Sequence, residues 1–233
     1  MSICSGEVEF LVLAAGIKPT AICLLTARSS IDHNYLVPIG RLATTYGIPV
    51  VLYDQLGAGN STHLQEKMGD RTIWTIQLFL DELWLEAANK LRATLPQDIQ
   101  DTMVEYEAKE DLDALEYQGA VMEFYKRYAC RTEPMAPELL ESFGSLAKDY
   151  TVYLTVNGPN EFYIGQSFDR IHLIERPTLL INGYYDEAQN SVVQPYFEHL
   201  KDVSWIEFAE LSHVAHLEER EKYLRVISSF IQD

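Results

Sequence analysis

The sequence predicts an α/β chain: a mostly parallel sheet with helices on both faces and a block of helices inserted into it. Three observations carry that prediction. Short, nearly continuous apolar runs recur with helical stretches between them, as strands buried on both faces of a parallel sheet require. From Trp84 to about Tyr150 the strand signals stop and only helical periodicity remains. Strand–helix alternation then resumes.

Ala21–Thr26 (AICLLT) and Pro49–Tyr53 (PVVLY) are the first apolar runs, and His33–Tyr46 between them reads as a helix, giving a β-α-β unit. The turn after the second strand is DQLGAGNS (Asp54–Ser61), where Gly57 and Gly59 open backbone geometry closed to bulkier residues. Thr72–Leu83 is amphipathic, with Ile73, Ile76, Leu80 and Leu83 on one face. LWLEAANKLRATL, QDIQDTMVEYEAKEDL, EYQGAVMEFYKRYAC and PELLESFGSL follow as about four helices, interrupted at Pro96, Pro134 and Pro137. An all-helical block inside a β/α chain is expected to cap a site at the strand ends. Its aromatics (Tyr106, Tyr117, Phe124, Tyr125, Tyr128) read as helix-packing core ahead of pocket lining. The expected organisation is a first part of the core over 1–83, a cap over 84–160 and the remaining core over 161–233. That last part holds a strand at Pro177–Asn182, a helix around Ser191–Leu200, a strand at Val203–Phe208 and a closing helix, Glu218–Ile231.

With 233 residues, 47% of them hydrophobic and 23% charged, the chain is sized for one such domain with a modest insertion. Its net charge of -17 excludes nucleic acid and anionic membrane surfaces as partners. Cys4, Cys23 and Cys130 have neither metal-site spacing nor an even count for a disulfide framework. The apolar run Phe10–Ala15 is too short to span a bilayer and lacks the basic start of a signal peptide. The expectation is a cytoplasmic protein without metal or cofactor; its oligomeric state is left open.

Asp186 lies four residues beyond Asn182, the last residue of an apolar strand, and His213 follows the next strand at a similar interval. The 27 residues between them hold one helix and one strand, so both side chains emerge at the C-terminal edge of the sheet. There a carboxylate fixes one imidazole nitrogen and leaves the other as a general base. His216 is the competing base. His33, His63, His172 and His199 show no partner pattern. A serine nucleophile would complete a triad from a strand–turn–helix G-x-S-x-G elbow. No such pentapeptide occurs in the sequence.

YDQLGAGNSTHL, NGPNEF, PTLLINGYYDEAQ and SHVAHLEERE, in that order, resemble the proline iminopeptidase family, serine aminopeptidases of the α/β-hydrolase superfamily. The resemblance runs from about His33 onward and implies an α/β-hydrolase-like fold with a reduced sheet. It makes Asp186 the triad acid and His213 the base. It matches Glu161 and Glu187 to the glutamates that bind a substrate's free α-amino group. The implied substrates are peptides, or amino-acid amides and esters, with a free N-terminus.

Two departures stand beside these matches. Where the family has an HGGPG turn that helps build the oxyanion hole, this chain has Thr26, Ala27, Arg28, Ser29 and Ser30. Where the family places the nucleophile strand, its GQSWGG elbow and the next strand, QLFLDEL (Gln77–Leu83) runs straight into WLEAANKLRATLP. Two serines remain as nucleophile candidates. Ser167 in GQSFD keeps the Ser–Asp–His order but has Asp169 where an elbow needs glycine, and Ser61 lies in the YDQLG loop. Three readings follow: a proline-preferring aminopeptidase of weak or no activity, a non-catalytic relative binding amino-terminal ligands or protein partners, and a truncated product of splicing or gene prediction. An aspartate nucleophile of the dehalogenase and epoxide-hydrolase kind does not restore the site, because the whole elbow is missing.

Overall fold

The computed structural model describes residues 2–5, 8–15, 22–25, 31–54, 57–68, 82–149, 151, 171, 174–175 and 177–232. The helix read over Thr72–Leu83 falls, but for its last two residues, outside them. The chain divides into two compact units.

The first unit takes in residues 1–80, 136–163 and 219–233. Its described strands are β1 (Ser2–Ser5), β2 (Val8–Ala15), β3 (Ile22–Leu25) and β4 (Val50–Tyr53), ordered β1-β2-β4-β3. β1 and β2 form an antiparallel hairpin pairing Ser2 with Leu11, so the run Phe10–Ala15 is sheet. β2 then pairs antiparallel with β4, and β3 pairs parallel with β4 from Ile22↔Val50 to Leu25↔Tyr53. Parallel neighbours need a crossover, and this one differs from the single helix expected. A 3-10 helix, His33–Gly40, precedes α1 (Arg41–Tyr46). Pro38 lies inside it and has no N–H to donate, which disfavours a continuous α-helix. Gly47 ends α1 with φ 69°, and Leu42, Val50 and Ile39 are buried to 3% exposure or less. α5 (Pro137–Leu146) packs on the 3-10 helix, and α8 (Arg220–Gln232) on α1.

The second unit takes in residues 81–135 and 164–218. β5 (Thr178–Gly183) and β6 (Val203–Phe208) pair in parallel, joined by the crossover helix α6 (Asn190–His199). α2 (Glu82–Arg92), α3 (Gln97–Ala108) and α4 (Leu115–Tyr128) make up its helical part. Leu83 and Trp84, the junction singled out in the sequence, are consecutive residues of one unbroken α2. Leu91, Leu95, Met103, Ala120 and Phe124 form the buried cluster of these helices, with Tyr117, Tyr125 and Tyr128 packed against it. Phe124 meets the Tyr128 ring at 5.1 Å between centroids. These four aromatics are helix-packing core, whereas Tyr106 stands outside the cluster, its ring under the Lys109 ammonium. The parallel β-α-β pairs of the two units, with helices around them, match the α/β fold predicted. Among the described residues no helix is long and apolar enough to cross a membrane.

Candidate active site

The acid side of the site is built by the turn after β5. Tyr184 N–H donates to Phe208 O (2.9 Å) and Tyr185 N–H to Leu211 O (3.0 Å), so the acid loop runs along the chain leaving β6. Gly183 permits this approach. A Cβ there would lie 2.2 Å from Leu211 O and 2.7 Å from Ser212 O. Asn182, buried at the strand end, braces the turn: its Nδ2 donates to Asn190 Oδ1 (2.8 Å) and Ala188 O (3.2 Å), and its Oδ1 accepts from Trp205 Nε1 (2.8 Å). Asp186 is therefore presented rigidly. Its carboxylate accepts from Gly183 N–H (3.2 Å) and Ala188 N–H (2.7 Å), and the residue is 3% exposed.

The base is His213, whose Nδ1 lies 2.8 Å from Asp186 Oδ1. An ionised carboxylate only accepts, so Nδ1 carries the proton and a neutral ring keeps its lone pair on Nε2. Nε2 lies 3.8 Å from Glu187 Oε1, beyond hydrogen-bond length but within ion-pair range. Glu187 is buried, while the His213 side chain is 26% exposed and open to a reactant. The ring thus stands between a hydrogen-bonded carboxylate and a facing one. It can take a proton on Nε2, and both carboxylates favour the resulting cation.

Of the residues singled out in the sequence, Asp186, Glu187 and His213 come together here. The competitor His216 is buried within the short helix α7 (Ala215–Glu218). Glu161, Ser167 and Thr26–Ser30 lie outside the described residues. Ser61 is buried in the first unit, where its hydroxyl donates to Asp54 O (2.8 Å). Among the described residues no cluster of three or more His, Cys, Asp or Glu is placed to hold a metal ion.

Two further Asp–His pairs escaped the sequence reading, and both grip the DQLGAGNS turn. Asp54, fully buried, accepts from His33 N–H (2.7 Å), His33 Nδ1 (2.8 Å) and Asn60 N–H (3.0 Å). That hydrogen bond, reinforced by the charges of Asp54, Asp32 and Glu141 against the cost of burial, holds His33 above its ordinary 6.5. His63 pairs through Nδ1 with Asp149, while its Nε2 meets Gly59 O at 3.0 Å. Burial pulls the His63 pKa down, but the Gly59 carbonyl and the Asp149 carboxylate outweigh it and raise it. Burial works against the Asp149 charge too, yet bonds from Thr151 and His63 bring its pKa below the usual 3.8. The pairs are separated by 21 and 86 residues, intervals with no helix or strand periodicity, so only the fold reveals them.

No family profile matches the sequence. The proline iminopeptidase of Thermoplasma volcanium is 27% identical over an alignment covering 86% of this chain and 85% of that protein. The solved structure of VinJ superposes with a TM-score of 0.87 at 31% identity, covering 100% of this chain and 97% of VinJ. The solved proline iminopeptidase of Mycobacterium smegmatis gives a TM-score of 0.81 at 30% identity, again covering 100% and 97%. The chain belongs to the proline iminopeptidase family of α/β-hydrolases. The Thermoplasma alignment runs over 252 positions, while 86% of 233 residues is about 200, so about 50 of its positions have no counterpart in this chain.

Proposed function

We propose that this chain is a proline iminopeptidase-like aminopeptidase by descent that hydrolyses peptides weakly or not at all. It keeps the acid, the base and the amine-binding carboxylates of that site. The observation that carries this reading is Asp186 Oδ1 at 2.8 Å from His213 Nδ1, with Glu187 Oε1 at 3.8 Å from the opposite nitrogen. A peptide's free amino terminus arrives as an ammonium group. Glu187 and, by the family resemblance, Glu161 supply the carboxylates that hold such a cation.

Acyl transfer needs more. A hydroxyl must attack while Nε2 takes its proton, and fixed donors must meet the oxyanion. The sequence contains no G-x-S-x-G elbow, and residues 26–30 lack the glycines of the HGGPG turn. About 50 unmatched positions leave room for such a loss, and the join of QLFLDEL to WLEAANKLRATLP in the sequence puts the nucleophile strand, its serine and the following strand between Leu83 and Trp84. What is left binds an amino terminus and offers a base with nothing to activate.

The test exposes the purified chain to a prolyl-coumarin reporter and a fluorophosphonate serine probe. Reporter hydrolysis at the buffer rate, no labelling and a cooperative unfolding transition are expected. Turnover with labelling of Ser167 would overturn the reading in favour of an active enzyme.

A further inference from the structure

We infer that Glu218 is a positioning residue, clamping the backbone ahead of His213 so that the imidazole stays in register with Asp186. The inference rests on reading Asp186 and His213 as the acid–base pair.

Three donors converge on the Glu218 carboxylate. Its Oε2 accepts from Ser212 N–H (2.7 Å), and its Oε1 accepts from the Ser212 hydroxyl and from Arg131 N–H. Ser212 is completely buried and immediately precedes the base. Arg131 follows the end of α4, so one side chain ties the histidine loop to the exit of that helix. The last carbonyls of an α-helix have no partner within it, and here two of the groups closing α4 face the site. Tyr128 O accepts from both Glu187 N–H and His213 N–H (3.2 Å each), and Ala129 O accepts from Val214 N–H (2.9 Å).

Three successive N–H groups of the histidine loop are therefore fixed. Ser212 is held by Glu218, His213 by Tyr128 and Val214 by Ala129. With the backbone held at and around His213, its ring direction depends on side-chain torsions alone, and the Asp186 bond selects them. The end of α4 acts as a template for both loops, and Glu218 locks the base loop onto it. Charge is part of the device. A carboxylate offers acceptors only, whereas the amide of glutamine would turn an NH2 group toward one of three donors.

The test is NMR of chain labelled with 15N-histidine, comparing the parent with Glu218→Gln, Ser212→Ala and Asp186→Asn. The parent is expected to show a slowly exchanging His213 Nδ1 proton that Asp186→Asn abolishes. Glu218→Gln should lose that proton signal and shift the His213 titration midpoint; Ser212→Ala, which removes one of the three donors, should broaden the signal and shift the midpoint less. A Glu218→Gln chain that melts lower but keeps the parent signal and midpoint would reduce Glu218 to a stability brace and overturn the proposal. Should Glu218→Gln fail to fold, Ser212→Ala decides, and an unchanged His213 overturns it. If Asp186→Asn leaves His213 unaltered, the acid–base reading fails and takes this inference with it. An effect of Asp186→Asn without one of Glu218→Gln sinks the positioning role alone.

Discussion

The pairs Asp54–His33 and Asp186–His213 contain the same two groups at the same 2.8 Å, yet one is a brace and the other is a candidate site. The difference lies in what surrounds the ring. The His33 side chain is 8% exposed and its own backbone N–H shares the carboxylate, so the pair closes in on the DQLGAGNS turn. His213 is 26% exposed, and its second nitrogen points at a further carboxylate. An Asp–His pair becomes chemically useful when the far nitrogen is left facing a place where a reactant can stand. Burial converts the same pair into a fastener.

If that distinction holds, removing the two aspartates has unequal consequences. Asp54→Ala strands a buried imidazole and two backbone N–H groups, and is expected to cost about 3–5 kcal/mol of unfolding free energy. Asp186→Ala also frees two backbone N–H groups, those of Gly183 and Ala188, but the ring it leaves is one that water can reach, and it is expected to cost about 1–3 kcal/mol. Urea titration of both variants measures the pair. Equal losses would erase the contrast between brace and site.

The next largest effect is expected at Gly183. A methyl group there meets backbone oxygens rather than a movable side-chain tip, with Leu211 O only 2.2 Å away. The acid and histidine loops must separate, at about 1–3 kcal/mol for overpacking of this kind. Gly183→Ala should therefore lower the urea midpoint and also weaken the Asp186–His213 hydrogen bond, seen in the Nδ1 proton of His213. A variant that loses stability with that proton intact would mean that the loop contact supports the fold but does not set the site.

These three variants also mark what the sequence does and does not make legible. Asp186 and His213 are readable because each follows an apolar strand by a few residues, and the strand–helix–strand interval places both at one sheet edge. The same periodicity yields β5, β6 and the helices α3 to α5 to within a few residues. The hairpin of β1 and β2 is not legible in that way, because Phe10–Ala15 is a continuous apolar run without the alternation of a half-buried antiparallel strand. The contacts of His33 and His63 are set by tertiary pairing across 21 and 86 residues, for which local pattern carries no signal. Glu218 is hidden for the same reason. Ser212 lies 6 residues from it, but Arg131 lies 87 residues away, and the role of Glu218 depends on where α4 ends.

A smaller, pH-dependent effect sharpens the comparison through the fastening pairs, whose two histidines are held above their ordinary value. Gly59 O and the Asp149 carboxylate both only accept, so His63 satisfies them fully as the imidazolium. The pKa values of His33 and His63 are raised above 6.5 by folding, so their contribution is complete below 6.5 and is lost as pH rises through the folded values. Asp149 works in the opposite sense. Its folded pKa is lowered from 3.8, so its contribution is present above that value and is lost as pH falls through the folded one. Thermal stability is expected to decline between about pH 6 and pH 8, and His63→Gln to flatten part of that decline. A parent chain equally stable at both ends of that interval would contradict the fastening role.

The smallest expected effect on the fold is also the one that bears most directly on function. Glu187 is buried and faces His213 at 3.8 Å, beyond hydrogen-bond length. Glu187→Gln keeps the shape, is expected to change the unfolding free energy by about 1 kcal/mol, and removes the carboxylate that meets an ammonium. Calorimetric binding of prolinamide should weaken roughly tenfold, about 1.4 kcal/mol, as expected on losing one charge-assisted hydrogen bond. N-acetylated prolinamide, which has no ammonium, should bind the parent and the variant alike. Equal retention of free and acetylated ligand by the parent would show that the carboxylate beside the base does not read amino termini. The 26% exposure of His213 would then mark an open ring without a ligand to go with it.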